Sequence, residues 1–193
     1  MHHQDVMSAR EHGNIFLIGP MGSGKTTIGR RVATLLEREF VDCDAELEAQ
    51  TGASVNLIFD IEGEEGFRQR ESRLLRQLAR RTGLLVATGG GAVTRAENRT
   101  LLRDGGLVVW LQTSVTQQLQ RLGRDKARPL LQTADREQRL LKLAEERDPL
   151  YRELADLVFS SSHRNARQAA LKLAEAIRSY WRDTATEQAC AGH

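Results

Sequence analysis

The chain has 193 residues and a formal net charge of +2, with 40% hydrophobic and 28% charged residues, which suits one domain burying a substantial apolar core. Basic residues are spread along the sequence and nearly balanced by acids, which argues against a nucleic-acid partner, and no apolar run approaches the roughly 18 residues that span a bilayer. Two cysteines, Cys43 and Cys190, make neither a disulfide framework nor a zinc pattern, so the expected setting is a reducing cytoplasm; no long apolar surface stripe demands a partner, so the expected state is a monomer.

Met1 to Gly13 is polar, with His2, His3 and His12, and is expected to be a flexible N-terminal segment (1–13) unlike a signal peptide. Asn14-Ile-Phe-Leu-Ile18 is a short apolar run suited to a buried parallel strand. Lys25 to Leu36 follows as a helix with Ile28, Val32, Leu35 and Leu36 on one face. Between them, Gly19-Pro-Met-Gly22-Ser23-Gly24-Lys25-Thr26-Thr27 satisfies G-x-x-x-x-G-K-[ST] in the strand-to-helix context that pattern requires. Glycines without a Cβ let the backbone fold around an anion and turn its N–H groups inward, and the helix N-terminus adds partial positive charge. Lys25 can reach the β- and γ-phosphates, while the Thr26 hydroxyl is placed to coordinate the Mg²⁺ that bridges them. Gly22, Ser23, Gly24, Lys25, Thr26 and Thr27 are therefore the candidate ATP-binding residues, Lys25 is also a candidate catalytic residue, and Mg²⁺ is the expected cofactor.

Phe40-Val41 reads as a second strand, running into Asp42-Cys43-Asp44 at the carboxyl end of the sheet, where ligands of open α/β folds bind. If the chain stays extended, both carboxylates face the same side. One of Asp42 and Asp44 is then a candidate for organising water around Mg²⁺ and the other for taking a substrate hydroxyl; Asp44 could also cap the helix that follows it without excluding catalysis. Helical spacing of Leu74, Leu75 and Leu78 predicts a helix over Ser72 to Arg80, followed by strands at Leu84 to Ala87 and Leu107 to Leu111 and a helix over Ser114 to Leu122. Gly123 to Asp135 is charged, contains Pro129 and interrupts the periodicity; it reads as a mobile loop whose Arg124, Lys126 and Arg128 either close on phosphates or are solvated surface charges. Leu157 to Phe159 is the last strand, Ala166 to Trp181 the last helix, and residues 182–193 have the composition of a flexible tail. Five apolar runs alternating with helices predict an α/β fold, a five-stranded parallel sheet with helices on both faces.

Two further stretches, Gly63-Glu-Glu-Gly-Phe-Arg68-Gln-Arg-Glu71 and Ala87-Thr-Gly89-Gly90-Gly91, join the phosphate loop, Phe40-Val-Asp-Cys-Asp44, Arg128-Pro-Leu-Leu131 and Arg147-Asp-Pro149-Leu-Tyr151 in a set that resembles the shikimate kinases, from Asn14 to the last strand and helix. The resemblance implies a P-loop kinase domain over 14–181, with a substrate-binding helical insert near 44–73 and a lid near 122–137, that uses ATP and Mg²⁺ to phosphorylate the 3-hydroxyl of shikimate. It implies that Asp44 binds the ring hydroxyls and draws the proton, that Arg68 and Arg147 hold the carboxylate, and that Gly89, Gly90 and Gly91 pack against the ring. It further implies that Glu71 orients Arg68, that Arg121 stacks near adenine, and that Arg128 reaches the phosphates as a third catalytic group beside Lys25 and Asp44. A planar guanidinium suits a carboxylate because it grips with two parallel hydrogen bonds. The stretch 160–166 lacks the proline found there in many relatives, and no residue in it is assigned to adenine. Rival readings are another small-molecule kinase of the same scaffold, such as a gluconate kinase or nucleoside monophosphate kinase, and a nucleotide-responsive module without turnover.

Overall fold

The computed structural model describes residues 13–122, 135–160 and 165–191. Strand β1 (Asn14–Ile18) is buried at every position, as a strand covered on both faces must be. It lies between β3 (Leu84–Ala87), in register Ile15 with Leu85, and β4 (Gly106–Gln112), in register Ile18 with Trp110. β2 (Glu39–Asp42) extends the sheet beyond β3 and β5 (Leu157–Ser160) extends it beyond β4, giving the parallel order β2-β3-β1-β4-β5.

Seven α-helices are present among the described residues: α1 (Lys25–Leu35), α2 (Cys43–Thr51), α3 (Val55–Ala79), α4 (Ala96–Gly105), α5 (Val115–Leu122), α6 (Arg136–Leu154) and α7 (Ala166–Ala191), with a short 3-10 turn at Ala92–Thr94. Alternation along the strands divides the core into two layers. Phe16, Ile18, Val86, Val108 and Trp110 pack with Leu74, Leu75 and Leu78 of α3, Leu102 of α4, and Tyr151 and Leu154 of α6. Ile15, Leu17, Leu85, Val109 and Leu111 pack on the opposite face with Ile28 and Val32 of α1 and Ala169, Leu173 and Ile177 of α7. The buried Asn14 pins three segments at the amino end of the sheet: its Nδ2 donates to the carbonyls of Leu78 and Arg81 and its Oδ1 accepts from Leu84 N.

The chain leaves β1 toward β2 over α1, and leaves β3 in the opposite direction toward β4 over α4. The carboxyl ends of β1 and β3 therefore flank the topological switch point, where open α/β sheets form a crevice.

Several boundaries differ from the expectation. The chain does not stay extended through Asp44: α2 begins at Cys43, and Asp42 is its cap, accepting from Asp44 N and Ala45 N. The helix expected over Ser72 to Arg80 is the last third of α3, whose earlier turns hide their period behind Glu62, Glu64, Glu65, Arg68 and Arg70. α3 is broken at Gly63, in a left-handed conformation (φ 69°) that favours glycine. Ser54 caps its start by accepting from Leu57 N. The expected tail from Arg182 is helical to Ala191, in keeping with its Ala, Gln and Glu content. Of the expected lid, residues 123–134, with Arg124, Lys126 and Arg128, lie outside the described residues.

Candidate functional site

The loop between β1 and α1 is built on backbone conformations that side-chain-bearing residues resist. Gly24 caps α1 at φ 94°, and its carbonyl accepts the first helical bond from Ile28 N at 2.8 Å. Lys25 folds back over the loop, with Nζ donating to the carbonyls of Gly19 (2.7 Å) and Pro20 (2.9 Å) and to Ser23 Oγ (3.4 Å). Ser23 is fully buried, whereas Thr26 and Thr27 face solvent. From the other side, Arg121 of α5 donates through Nη1 to the Gly22 carbonyl at 2.9 Å, so that α5 braces the loop.

The Thr26 hydroxyl donates to Asp42 Oδ2 at 2.6 Å. Asp42 thus uses one carboxylate oxygen to cap α2 and the other to meet the first turn of α1. A hydroxyl and a carboxylate side by side at the mouth of a phosphate loop are hard oxygen donors of the kind magnesium prefers. Among the described residues there is no cluster of three His, Cys, Asp or Glu that would make a separate cage, and magnesium at kinase sites draws its remaining oxygens from phosphates and water.

Beside this loop, the three glycines after β3 form a turn against which other groups converge. A Cβ on Gly89 would collide with Glu71 Oε1 and lie 3.4 Å from Asp44 Oδ1; on Gly90 it would lie 3.4 Å from Met21 N and 3.5 Å from the Gly19 carbonyl; on Gly91 it would overlap the Arg68 guanidinium. The turn is therefore the wall between the phosphate loop and a second group of charges. Arg68 and Glu71, one helical turn apart on α3, are both buried and joined by Nη1 to Oε2 at 2.7 Å, with exposed Glu64 at 3.4 Å on the other nitrogen.

Burial is the largest influence on the Glu71 carboxyl and pushes it above its ordinary range; Arg68 pulls it down, Asp44 pushes it further up and Arg147 pulls it down. Asp44, Arg68 and Arg147 are thus all close enough to act on Glu71, although they come from α2, α3 and α6. Arg68 Nε, Arg147 Nε and Glu71 Oε1 are buried without a hydrogen-bond partner. Buried donors and acceptors left over in one place cost stability, and an oxygen-rich acidic ligand would relieve the cationic ones.

Every described candidate of the acceptor group, Asp44, Arg68, Gly89, Gly90, Gly91 and Arg147, is brought to this wall, and the candidates Gly22 to Thr27 and Asp42 to the adjoining loop. Arg128 lies outside the described residues. Two participants entered the sequence reading only as members of the quoted stretches, with no role assigned to them. Tyr151, on α6, donates its hydroxyl to the Gly90 carbonyl, and Cys43, buried between the two aspartates, has its thiol pushed far up by burial and then by Glu71, Asp44 and Asp42.

Comparison with known proteins gives one consistent result. A family model described as shikimate kinase matches residues 21–178. A shikimate kinase of Halorhodospira halophila is 54% identical over 168 residues, spanning 87% of this chain and 95% of its own. One of Thioalkalivibrio sulfidiphilus is 52% identical over 169 residues, spanning 88% and 87% respectively. Among solved structures, a shikimate kinase from Acinetobacter baumannii in complex with shikimate matches with a TM-score of 0.83 at 51% identity, over 90% of this chain and 97% of that one.

Proposed function

The chain belongs to the shikimate kinase family, and from that membership we propose how its residues divide the work of the reaction. The activity is the ATP-dependent phosphorylation of shikimate. We take the accepting oxygen to be the 3-hydroxyl, giving shikimate 3-phosphate and ADP.

The observation that carries the assignment of roles is the convergence of Asp44, Arg68 and Arg147 on the far side of the Gly89–Gly91 turn from the phosphate loop. A donor and an acceptor that border one turn of backbone can meet without either half of the site moving far. In this reading the loop amides of Gly22 to Thr27 cradle the triphosphate, and Lys25 transfers its hydrogen bonds from the Gly19 and Pro20 carbonyls to the phosphate oxygens. Arg68 and Arg147 grip the carboxylate, fixing its angle as well as its place, while Glu71 holds Arg68. The backbone of Gly89, Gly90 and Gly91 lies along the ring, and Asp44 receives the hydroxyl proton. Arg121 stands toward the nucleotide and Arg128 acts from the lid.

Thr26 and Asp42 would hold magnesium, which supplies charge neutralisation across the β- and γ-phosphate oxygens. Phosphoryl transfer passes through a loose transition state, so alignment and charge, more than covalent help, set the rate. The reading is completed by a monomer acting in the cytoplasm; among the described residues no helix is long and apolar enough to cross a membrane.

The test is ADP release by the purified chain with ATP and magnesium, with and without shikimate, and with gluconate or a nucleoside monophosphate in its place. Turnover that depends on shikimate is expected. Equal turnover with another acceptor, or none with any, overturns the assignment of the acceptor site.

A further inference from the structure

Tyr151 and Arg147 are four residues apart on α6 and so share one face of that helix. The Tyr151 ring is buried and stacks on Trp110 of β4, with centroids 5.7 Å apart and the planes 28° from parallel. Packing would account for a phenylalanine at this position; it does not account for the hydroxyl. That hydroxyl donates to the carbonyl of Gly90, the middle residue of the turn whose flanks meet Glu71 with Asp44 on one side and Arg68 on the other. Gly90 is also the residue of the turn that lies nearest the phosphate loop, beside Gly19 and Met21. One side-chain bond therefore fixes the point at which the acceptor wall rests on the donor loop.

The helix that supplies this bond also carries Arg147, whose charge acts on both the Tyr151 phenol and the Glu71 carboxyl. Burial pushes the phenol well above its ordinary value, with Arg147 opposing the shift. The group consequently remains a protonated donor across the working pH range. Trp110 Nε1, by contrast, is buried without a partner, so Trp110 serves Tyr151 as a packing surface and not as part of a polar network.

We propose that Tyr151 is a positioning residue for phosphoryl transfer: its hydroxyl holds the Gly89–Gly91 turn against the phosphate loop and keeps Arg147 in register with that turn, which sets the acceptor at the distance and angle that transfer needs. This rests on the shikimate kinase reading. Tyr151 itself touches neither substrate; it acts through the Gly90 backbone and through Arg147.

Two variants separate positioning from packing. Tyr151→Phe keeps the ring and its stack and removes only the donor, leaving the Gly90 carbonyl without its bond. Trp110→Phe weakens the stack and leaves the donor in place. The wild-type protein is assayed first for ADP release with ATP, magnesium and shikimate; both variants are then assayed with each substrate varied in turn and melted in parallel. Tyr151→Phe is expected to lower kcat/KM for shikimate by about tenfold, the scale of a buried acceptor left unmet, with KM for ATP within twofold. Trp110→Phe is expected to lower the melting midpoint while leaving kcat/KM for shikimate within twofold.

The inference is overturned if Tyr151→Phe leaves kcat/KM for shikimate unchanged, if it weakens use of ATP and shikimate equally, or if Trp110→Phe matches it in activity. Failure of the wild-type protein to use shikimate is a different result: it overturns the functional reading, and this inference with it.

Discussion

A methyl group placed at Gly91 would test the acceptor site without changing any charge. Gly91 has φ −95° and ψ 0°, values open to alanine, so Gly91→Ala carries no backbone penalty of the left-handed kind. Its Cβ, however, would overlap Arg68 Nη2 and lie 2.5 Å from Cζ and 2.6 Å from Nη1, where ordinary contact begins at 3.4 Å. The guanidinium must therefore retreat by at least about 0.9 Å, the difference between 3.4 and 2.5 Å for Cζ, and further at Nη2. A shift of that size takes the 2.7 Å bond to Glu71 to or beyond the edge of good geometry, and turns the fork away from the plane of a carboxylate it is meant to grip. Misplacement by about 1 Å costs on the order of 100-fold in rate, or about 2.7 kcal/mol. In an ADP-release assay, kcat/KM for shikimate should fall by about 100-fold while KM for ATP stays within twofold. Because the methyl acts only through Arg68, Gly91→Ala should add almost nothing to Arg68→Met in the double variant. Undiminished shikimate use, or equal losses for both substrates, would refute the assignment of Arg68 to the carboxylate.

Other consequences can be checked beside it. Asp44→Asn should lower kcat by roughly 10²–10⁴-fold, the range of a lost general base, with ATP affinity by titration calorimetry unchanged; a parallel loss of ATP binding would contradict the division of the site. Glu71 is held above its ordinary range chiefly by burial, so the folded chain keeps this proton more tightly than the unfolded one. Its contribution to stability is fully present below the unfolded pKa and is lost as pH rises through the folded one. The urea midpoint of the wild-type protein should therefore decline relative to that of Glu71→Gln from about pH 4.5 upward; a relative gain over that range would show that Arg68 dominates instead. Asn14→Ala leaves the Leu84 N–H and the Leu78 and Arg81 carbonyls without their buried partner, a cost of about 3 kcal/mol, read as a drop of roughly 6–12 °C in melting midpoint with activity retained below the transition.

The phosphate loop and the strands were readable from the sequence because their causes are local. Gly19 to Thr27 must be contiguous to wrap an anion, and strands buried on both faces have to be apolar at successive positions, as Ile15 to Ile18 and Leu107 to Leu111 are. The helices that build the acceptor site lacked that legibility for a physical reason. α3 and α6 turn toward the site the faces that would otherwise show an apolar stripe, and those faces hold Arg68, Glu71 and Arg147. α6 also accepts Pro149 in its interior, which reads locally as a break. The start of α2 was misplaced because Asp42 and Asp44 are equally good caps by residue type, and the choice between them was made by the packing of Cys43 beneath the site. Tyr151 stands in the Arg147-Asp-Pro149-Leu-Tyr151 stretch, but its role was not legible there, since it depends on a carbonyl 61 residues earlier in the chain.

The central place of β1 in the sheet has a consequence for how the protein is made. Ile18 pairs with Trp110, 92 residues later by subtraction, which at ribosomal rates of about 5–20 residues per second is a wait of roughly 5–18 s. During synthesis the segment bearing the phosphate loop emerges first, yet the strand that closes its second side arrives only after nearly half of the chain has followed. Until then Ile15–Ile18, apolar toward both future layers and paired at most with β3 along one edge, is a sticky segment of the kind chaperones bind. Nascent chains stalled before β4 should accordingly be aggregation-prone and unable to hold nucleotide, even though every residue of the nucleotide loop has already been made.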